Sequence, residues 1–265
     1  MKRNLLVLGL IIVLASLATS ISIAKKRPNI SSPLAHEHLA LPAPVLTEPC
    51  SEEFDLAGCP LAGCGELGDA LLNTVKNRTT TATSPTTVTL DQMRALPQPD
   101  TWDTGSERSS ITGPNREGTK IMVKGFLQKA KAEGAESCNC GLTRRVDTDI
   151  HLVIVSKMPD VEDPEAMDLS EQNSVTAEIT PRVRKLGHPN WVYKNVNDLE
   201  GSYIRMKGWL MLDTKHIPQE HRLSHERSNH GLKRATNWEI HPVTALQVCT
   251  KSKSACDHGT GWVAF

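Results

Sequence analysis

The sequence predicts a mainly β protein: a five-stranded OB-like barrel with one helix between strands three and four, behind a largely irregular N-terminal third. Two observations carry this. Stretches with strand periodicity fall at residues 120–132, 149–156, 174–180, 203–213 and 237–249, and a helical stretch at 189–199 separates the third from the fourth. Before residue 117 strand periodicity is absent, and Pro, Thr and Ser are frequent instead. A generic antiparallel α+β sandwich would accommodate the same order. With 38% apolar and 4% aromatic residues in a chain of 265, one modest core is expected, and a polytopic membrane protein or a fibre is excluded.

From the N-terminus, Lys2 and Arg3 precede an apolar run over residues 5–18, which ends in Ser22-Ile23-Ala24. That is the layout of a signal peptide, residues 1–24, and implies export to the periplasm or the medium. The rival reading is an N-terminal membrane anchor, because residues 5–24 just reach a spanning length and Lys25, Lys26 and Arg27 resist translocation. Formal net charge is zero, so whole-chain charge points to neither nucleic acid nor membrane. Residues 25–48, with Pro28, Pro33, Pro42 and Pro44, read as a linker. Residues 49–78 form a cysteine-containing segment with one amphipathic helix near 66–78. Residues 79–116 open on a Thr/Ser/Pro-rich run and read as a mobile tether. Asn29-Ile30-Ser31 and Asn77-Arg78-Thr79 match the glycosylation sequon.

The barrel is expected over 117–250, with a C-terminal tail at 251–265. Two insertions interrupt it. Residues 160–171 carry six acids and no base, a solvated loop. Residues 214–236 hold His216, His221, His225 and His230 among Lys and Arg, and read as a polar loop rather than a metal-binding helix face. The seven cysteines suit an oxidising compartment, as a partial disulfide framework with one thiol left over. Cys249 and Cys256 are spaced to close a short loop, whereas Cys138 and Cys140 are too close to bridge each other comfortably. No CxxC pair matches the CxC, which argues against a structural zinc site.

Strand alternation sorts the candidate site residues. Ile150, Leu152 and Ile154 must face the core, so Asp149 and His151 point outward. Val175, Ala177 and Ile179 send Glu178 outward; Trp238 and Ile240 do the same for Glu239 and His241. Ile204, Met206, Leu210 and Leu212 leave Arg205, Lys207 and Trp209 outside. Adjacent strands lie about 4.8 Å apart. Asp149, His151, Glu178, Glu239 and His241 are therefore expected on one outer face, with the CxC near its rim. Two imidazoles and these carboxylates suit a divalent metal such as zinc, with His151, His241, Glu178 and Asp149 as ligands. Glu239, Arg205, Lys207 and Trp209 are candidates for ligand binding. The competing account is a polar outer face with ordinary hydrogen bonds and ion pairs.

Five motifs also resemble a group of exported bacterial proteins of uncharacterised function. They are Glu136-Ser-Cys-Asn-Cys140, Asp149-x-His151, Glu178-Ile-Thr-Pro-Arg-Val-Arg184, Gly208-Trp-Leu-Met-Leu-Asp213 and Trp238-Glu-Ile-His-Pro-Val-Thr244. The segment Leu72–Arg78 resembles the N-terminal part of the same group. The resemblance implies an exported OB-like protein and no particular activity.

The expected function is an exported binding module that uses the outer face of the barrel for a nucleic acid, an oligosaccharide or a protein. Residues 182–234 hold eleven Lys and Arg against five acids, which would suit a phosphate backbone. The alternatives are a metal-dependent hydrolase, possibly phosphodiesterase-like in chemistry, and a structural envelope protein. The hydrolase would use His151, His241 and Glu178 as ligands and Asp149 or Glu239 as base. No HExxH, GxSxG or Walker sequence is present.

Overall fold

The computed structural model of the chain describes residues 49–51, 55–65, 69–102, 108–111, 116–217 and 233–265. The expected signal peptide at 1–24, the linker at 25–48 and His221, His225 and His230 lie outside the described residues. The elements are α1 (Ala70–Lys76), β1 (Thr86–Thr87), α2 (Leu90–Arg94), β2 (Lys120–Ala132), β3 (Ile150–Val155), α3 (Pro164–Gln172), β4 (Val175–Ile179), α4 (Pro181–Gly187), α5 (Tyr193–Asn197), β5 (Tyr203–Leu212), β6 (Trp238–Cys249), α6 (Lys253–Asp257) and β7 (Trp262–Ala264).

Five strands close into a barrel in the order β2-β3-β4-β6-β5, with β5 returning to β2. Every neighbouring pair is antiparallel except β4 with β6, which run parallel. The inward residues are those that alternation selects: Ile121, Val123, Ile150, Leu152, Ile154, Val175, Ala177, Ile179, Ile204, Met206, Leu210, Leu212, Trp238 and Ile240 share one core. Two bulges adjust this set. On β2 the register shifts between Leu127 and Lys129, so the next inward residue is Ala130. Around Gly208 the β5–β6 register shifts, and the inward set on β6 passes from Ile240 to Val243. A Cβ at Gly208 would stand 2.5 Å from the Pro242 carbonyl oxygen and 2.6 Å from Ile240 Cγ2. Glycine is therefore what lets the two strands meet there.

Several expectations need correction. The single helix expected at 189–199 is confined to Tyr193–Asn197, and a separate α4 precedes it. Thr180 accepts the Val183 N–H and Pro181 fixes the first turn, a start signal stronger than Pro189. Between the helices, buried Trp191 stacks on His188 at 3.7 Å and donates to the Phe265 carbonyl at 2.9 Å. The acidic insertion is not all loop. Asp163 caps α3 by accepting from Glu165 and Ala166 N–H, with Pro164 in the first turn. Residues 251–265 are more than a tail, since β7 extends the sheet along β6.

The segment expected as a tether, 79–116, packs onto the barrel wherever it is described. Ala82 N–H donates to Thr244 Oγ1, and Trp209 Nε1 donates to the Thr80 carbonyl at 2.7 Å. Thr86 and Thr87 pair with Ile121 and Met122, and α2, opened by a Thr89–Gln92 capping box, buries Leu90 and Met93. Composition predicted freedom here; the backbone instead finds partners on β2, β5 and β6.

Three disulfides form among the described residues: Cys50–Cys64, Cys59–Cys140 and Cys249–Cys256, which leaves Cys138 a buried free thiol. Cys59–Cys140 spans 81 residues and ties the N-terminal segment to the turn before β3. Closing a loop of that size removes roughly 4–5 kcal/mol of unfolded-chain entropy. Among the described residues no helix is long and apolar enough to cross a membrane. Gly208→Ala is expected to destabilise the fold by about 1–3 kcal/mol through the contact with Pro242. A lower urea midpoint at an unchanged slope would register this; an unchanged midpoint would show that β5 and β6 can separate there.

Candidate metal centre

The outer face of β3, β4 and β6 gathers the expected residues. His151 on β3 stands directly opposite Glu178 on β4, and Thr176 and Ala177 pair with Glu239 and Ile240 on β6. Continuing that ladder sets Glu178 beside His241. Asp149 enters β3 from the turn that holds Cys138, Asn139 and Cys140.

This face is outward in the sense of the barrel, yet it is not exposed. Asp149, Glu178, Glu239 and His241 are all buried. Their cover is α1 and the 3-10 turn Ser137–Asn139. Leu72 and Val75 of α1 pack on Met211, which projects outward from β5. Lys76, on the same helix face as Leu72, reaches Glu136 with its ammonium 2.6 Å from Oε1. Asn77 donates to the Leu61 and Cys138 carbonyls at 2.8 Å each and accepts from Arg182, whose guanidinium also donates to the Cys59 carbonyl. Buried this way, Asn77 cannot carry a glycan in the folded chain.

The centre is His241. Its Nδ1 lies 3.1 Å from Glu178 Oε2 and 3.4 Å from Glu239 Oε2, and its Nε2 lies 3.5 Å from Asp149 Oδ2. None of these atoms has an aligned hydrogen-bond partner. Asp149 accepts from Asn139 Nδ2 at 2.9 Å through its other oxygen. Ligand atoms of Asp149, Glu178 and His241 all lie within 4.8 Å of one another, and so do those of Glu136, Cys138 and Asp149. Glu239 also pairs with Arg234, which bonds Asp213 at 2.8 Å.

Asp149, Glu178, Glu239, Asp213 and Glu136 face Lys76 and Arg234, the Arg182 and Arg184 guanidinium groups also act on Asp149, and His151 stands beside Glu178. Burial still draws protons onto these groups. Burial, then the charges of Glu136 and Glu178, push Asp149 up to about 8. Burial opposes the charged His241 ring, but Glu178 and Glu239 hold it up to about 10. Glu178 stays well below the usual carboxylate range: burial works against its charge, and His241 and Lys76 outweigh it. Burial raises the Cys138 thiol, with Lys76 pulling the other way. A divalent cation among these groups would displace the protons that Asp149 and His241 hold.

Of the four expected ligands, Asp149, Glu178 and His241 come together. His151 lies on the far side of Glu178, with Nδ1 3.3 Å from Glu133 and Nε2 3.4 Å from Thr176 Oγ1, and is not in either group. Among the expected ligand-binding residues, Glu239 is buried against Arg234, and Trp209, expected to be exposed, is covered with the Arg78 guanidinium 4.4 Å over its ring. Arg205 is half-buried, bonded to Gln247 and stacked over Trp262 at 4.6 Å. Lys207 is half-buried on the same strand.

Sequence reasoning missed Lys76, Glu136 and Arg234. One signal was available: Leu72, Val75 and Lys76 occupy a single i, i+3, i+4 stripe, so a helix burying Leu72 carries Lys76 inward too. No family profile, curated protein or solved structure matches the chain.

Arg234 is the guanidinium that pairs with both Asp213 and Glu239, from a buried position. Arg234→Ala should therefore cost about 3–5 kcal/mol, because both carboxylates stay buried with their guanidinium partner removed. Urea unfolding measures this, and adding Asp213→Asn and Glu239→Gln should recover part of the loss. A triple variant no more stable than the single one would place the damage in packing.

Proposed function

We propose that the protein is an exported metalloprotein, an OB-like barrel that holds a divalent ion, zinc foremost, between Asp149, Glu178 and His241. One observation carries the reading. Three ligand-type side chains, from β4, β6 and the residue that leads into β3, converge within 4.8 Å and are buried, with Asp149 Oδ2, Glu178 Oε2 and both His241 nitrogens lacking aligned partners. Buried polar atoms without aligned partners are costly, and a cation bound through one His241 nitrogen would satisfy that nitrogen and both carboxylate oxygens, leaving the other nitrogen to keep its proton. One imidazole and two carboxylates fill three positions of a four-coordinate ion and leave one for water, the arrangement that suits hydrolytic chemistry.

Export is supported by the disulfides, which persist in oxidising compartments, and by the signal-like N-terminus. The strand order and the parallel β4–β6 pairing favour the OB-like description. The binding-module alternative is weakened by the cover. Its stacking residue, Trp209, is occupied by Arg78 and Thr80, and its carboxylates and imidazoles lie under α1.

The test is elemental analysis of full-length protein purified without a polyhistidine tag. At least one equivalent of metal is expected, lost from the Asp149–Glu178–His241 position in His241→Ala and Glu178→Gln, and retained in His151→Ala. Circular dichroism checks that each variant folds. Metal-free protein that also resists added zinc would overturn the reading, as would loss of metal in His151→Ala alone.

A further inference from the structure

We infer that Glu136, Cys138 and Asp149 form a second cation position, joined to the first through Asp149, which takes a thiophilic divalent ion as a thiolate complex. This rests on the metal-binding reading above and extends it from one ion to two.

The geometry points there from four sides. Cys138 is the free cysteine among the described residues, buried in the turn before β3 with its Sγ 3.7 Å from Glu136 Oε2. Glu136 is already oriented. Its Oε1 is held by the Lys76 ammonium at 2.6 Å, which leaves Oε2 for the side facing the sulfur. Asp149 contributes to both groups of ligands, and its Oδ2 is buried with no aligned hydrogen-bond donor. Asn139, between the two cysteines, fixes the other Asp149 oxygen, so the carboxylate is aimed rather than free to rotate. A carboxylate shared between two ions is a common bridge where the metals lie close together.

The two positions differ in chemistry and in access. The inner one offers oxygen and imidazole, and its protein ligands are sealed. The outer one offers sulfur and oxygen, a set that favours zinc, cobalt or cadmium over magnesium or calcium. Glu136 keeps 24% of its side chain exposed, against 8% or less for Glu178, Asp149 and His241. Glu136 is thus the point at which an ion can enter. Binding converts the Cys138 thiol to a thiolate, and the proton leaves to solvent by the same opening. Lys76 acts as a positioning residue: it holds Glu136 by one oxygen and does not itself touch the ion.

Cobalt(II) titration of the full-length, disulfide-intact protein tests this. Wild type should bind two equivalents and develop a thiolate-to-cobalt charge-transfer band in the near ultraviolet. Six of the seven cysteines are in disulfides, so that band can come only from Cys138. Cys138→Ser should lose the band and one equivalent. Glu178→Gln should lose an equivalent and keep the band. One equivalent with no thiolate band, unchanged in Cys138→Ser, overturns the second position and leaves the first standing. No cobalt bound at all overturns both. A second equivalent that persists in Cys138→Ser overturns the assignment of the sulfur.

Discussion

Buried carboxylates cannot be taken out of water unless positive charge comes with them, and most of this architecture serves that constraint. The barrel supplies Glu178 from β4, Glu239 from β6, Asp149 at the entry to β3 and Asp213 at the end of β5, and the N-terminal segment supplies the Lys76 ammonium. Arg234, from the segment leading into β6, answers Asp213 and Glu239. The Cys59–Cys140 bond holds the covering segment in place, and Arg182 clamps it from α4 through Asn77 and the Cys59 carbonyl. Without the cover the acids would be ordinary surface groups. With it they are buried, and each must find a positive or donating partner.

The motifs noted in the sequence converge on this region. In the stretch from Glu178 to Arg184, Glu178 enters the site, Thr180 and Pro181 start α4, and Arg182 and Arg184 bond backbone carbonyls of the cover and of the turn before β3. In the stretch from Gly208 to Asp213, Gly208 allows close approach of β6, Trp209 and Met211 carry the cover, and Asp213 receives Arg234. Glu136 to Cys140 supplies an acid, the free thiol, the amide that orients Asp149 and half of a disulfide. Segments remote in the chain thus share one physical task.

What was legible in the sequence, and what was not, follows from the range of the forces involved. Strand alternation is local, so the common face of Asp149, Glu178, Glu239 and His241 could be read directly from period two. The register shift opposite Gly208 spans His241 and Pro242, and His241 stays off the inward set. Burial was invisible because the atoms that bury the face come from α1, some seventy residues before β3 in the chain. Thr180-Pro181 and Asp163-Pro164 were readable helix starts, overlooked because acidity and strand flanks suggested loop. The Thr-rich run at 79–89 misled for a different reason: composition reports how little a segment can bury, and says nothing of the backbone partners a neighbouring strand edge offers it.

Cys138 and Cys140 sit two residues apart, and Cys59 is paired with the second of them. The choice is made by a backbone torsion. Cys140 adopts a left-handed conformation, φ 52°, at the end of the 3-10 turn, which turns its sulfur toward Cys59 while Cys138 stays under Lys76 and Glu136. Such a conformation costs a residue other than glycine of the order of 1 kcal/mol or more, so the turn must be held by its surroundings before it can select. Pairing fidelity in this chain is consequently a property of the folded cover, with an unfolded or half-docked chain free to form the Cys59–Cys138 isomer. That isomer would consume the sulfur of Cys138, so correct oxidation and a free buried thiol beside Glu136 depend on the same turn.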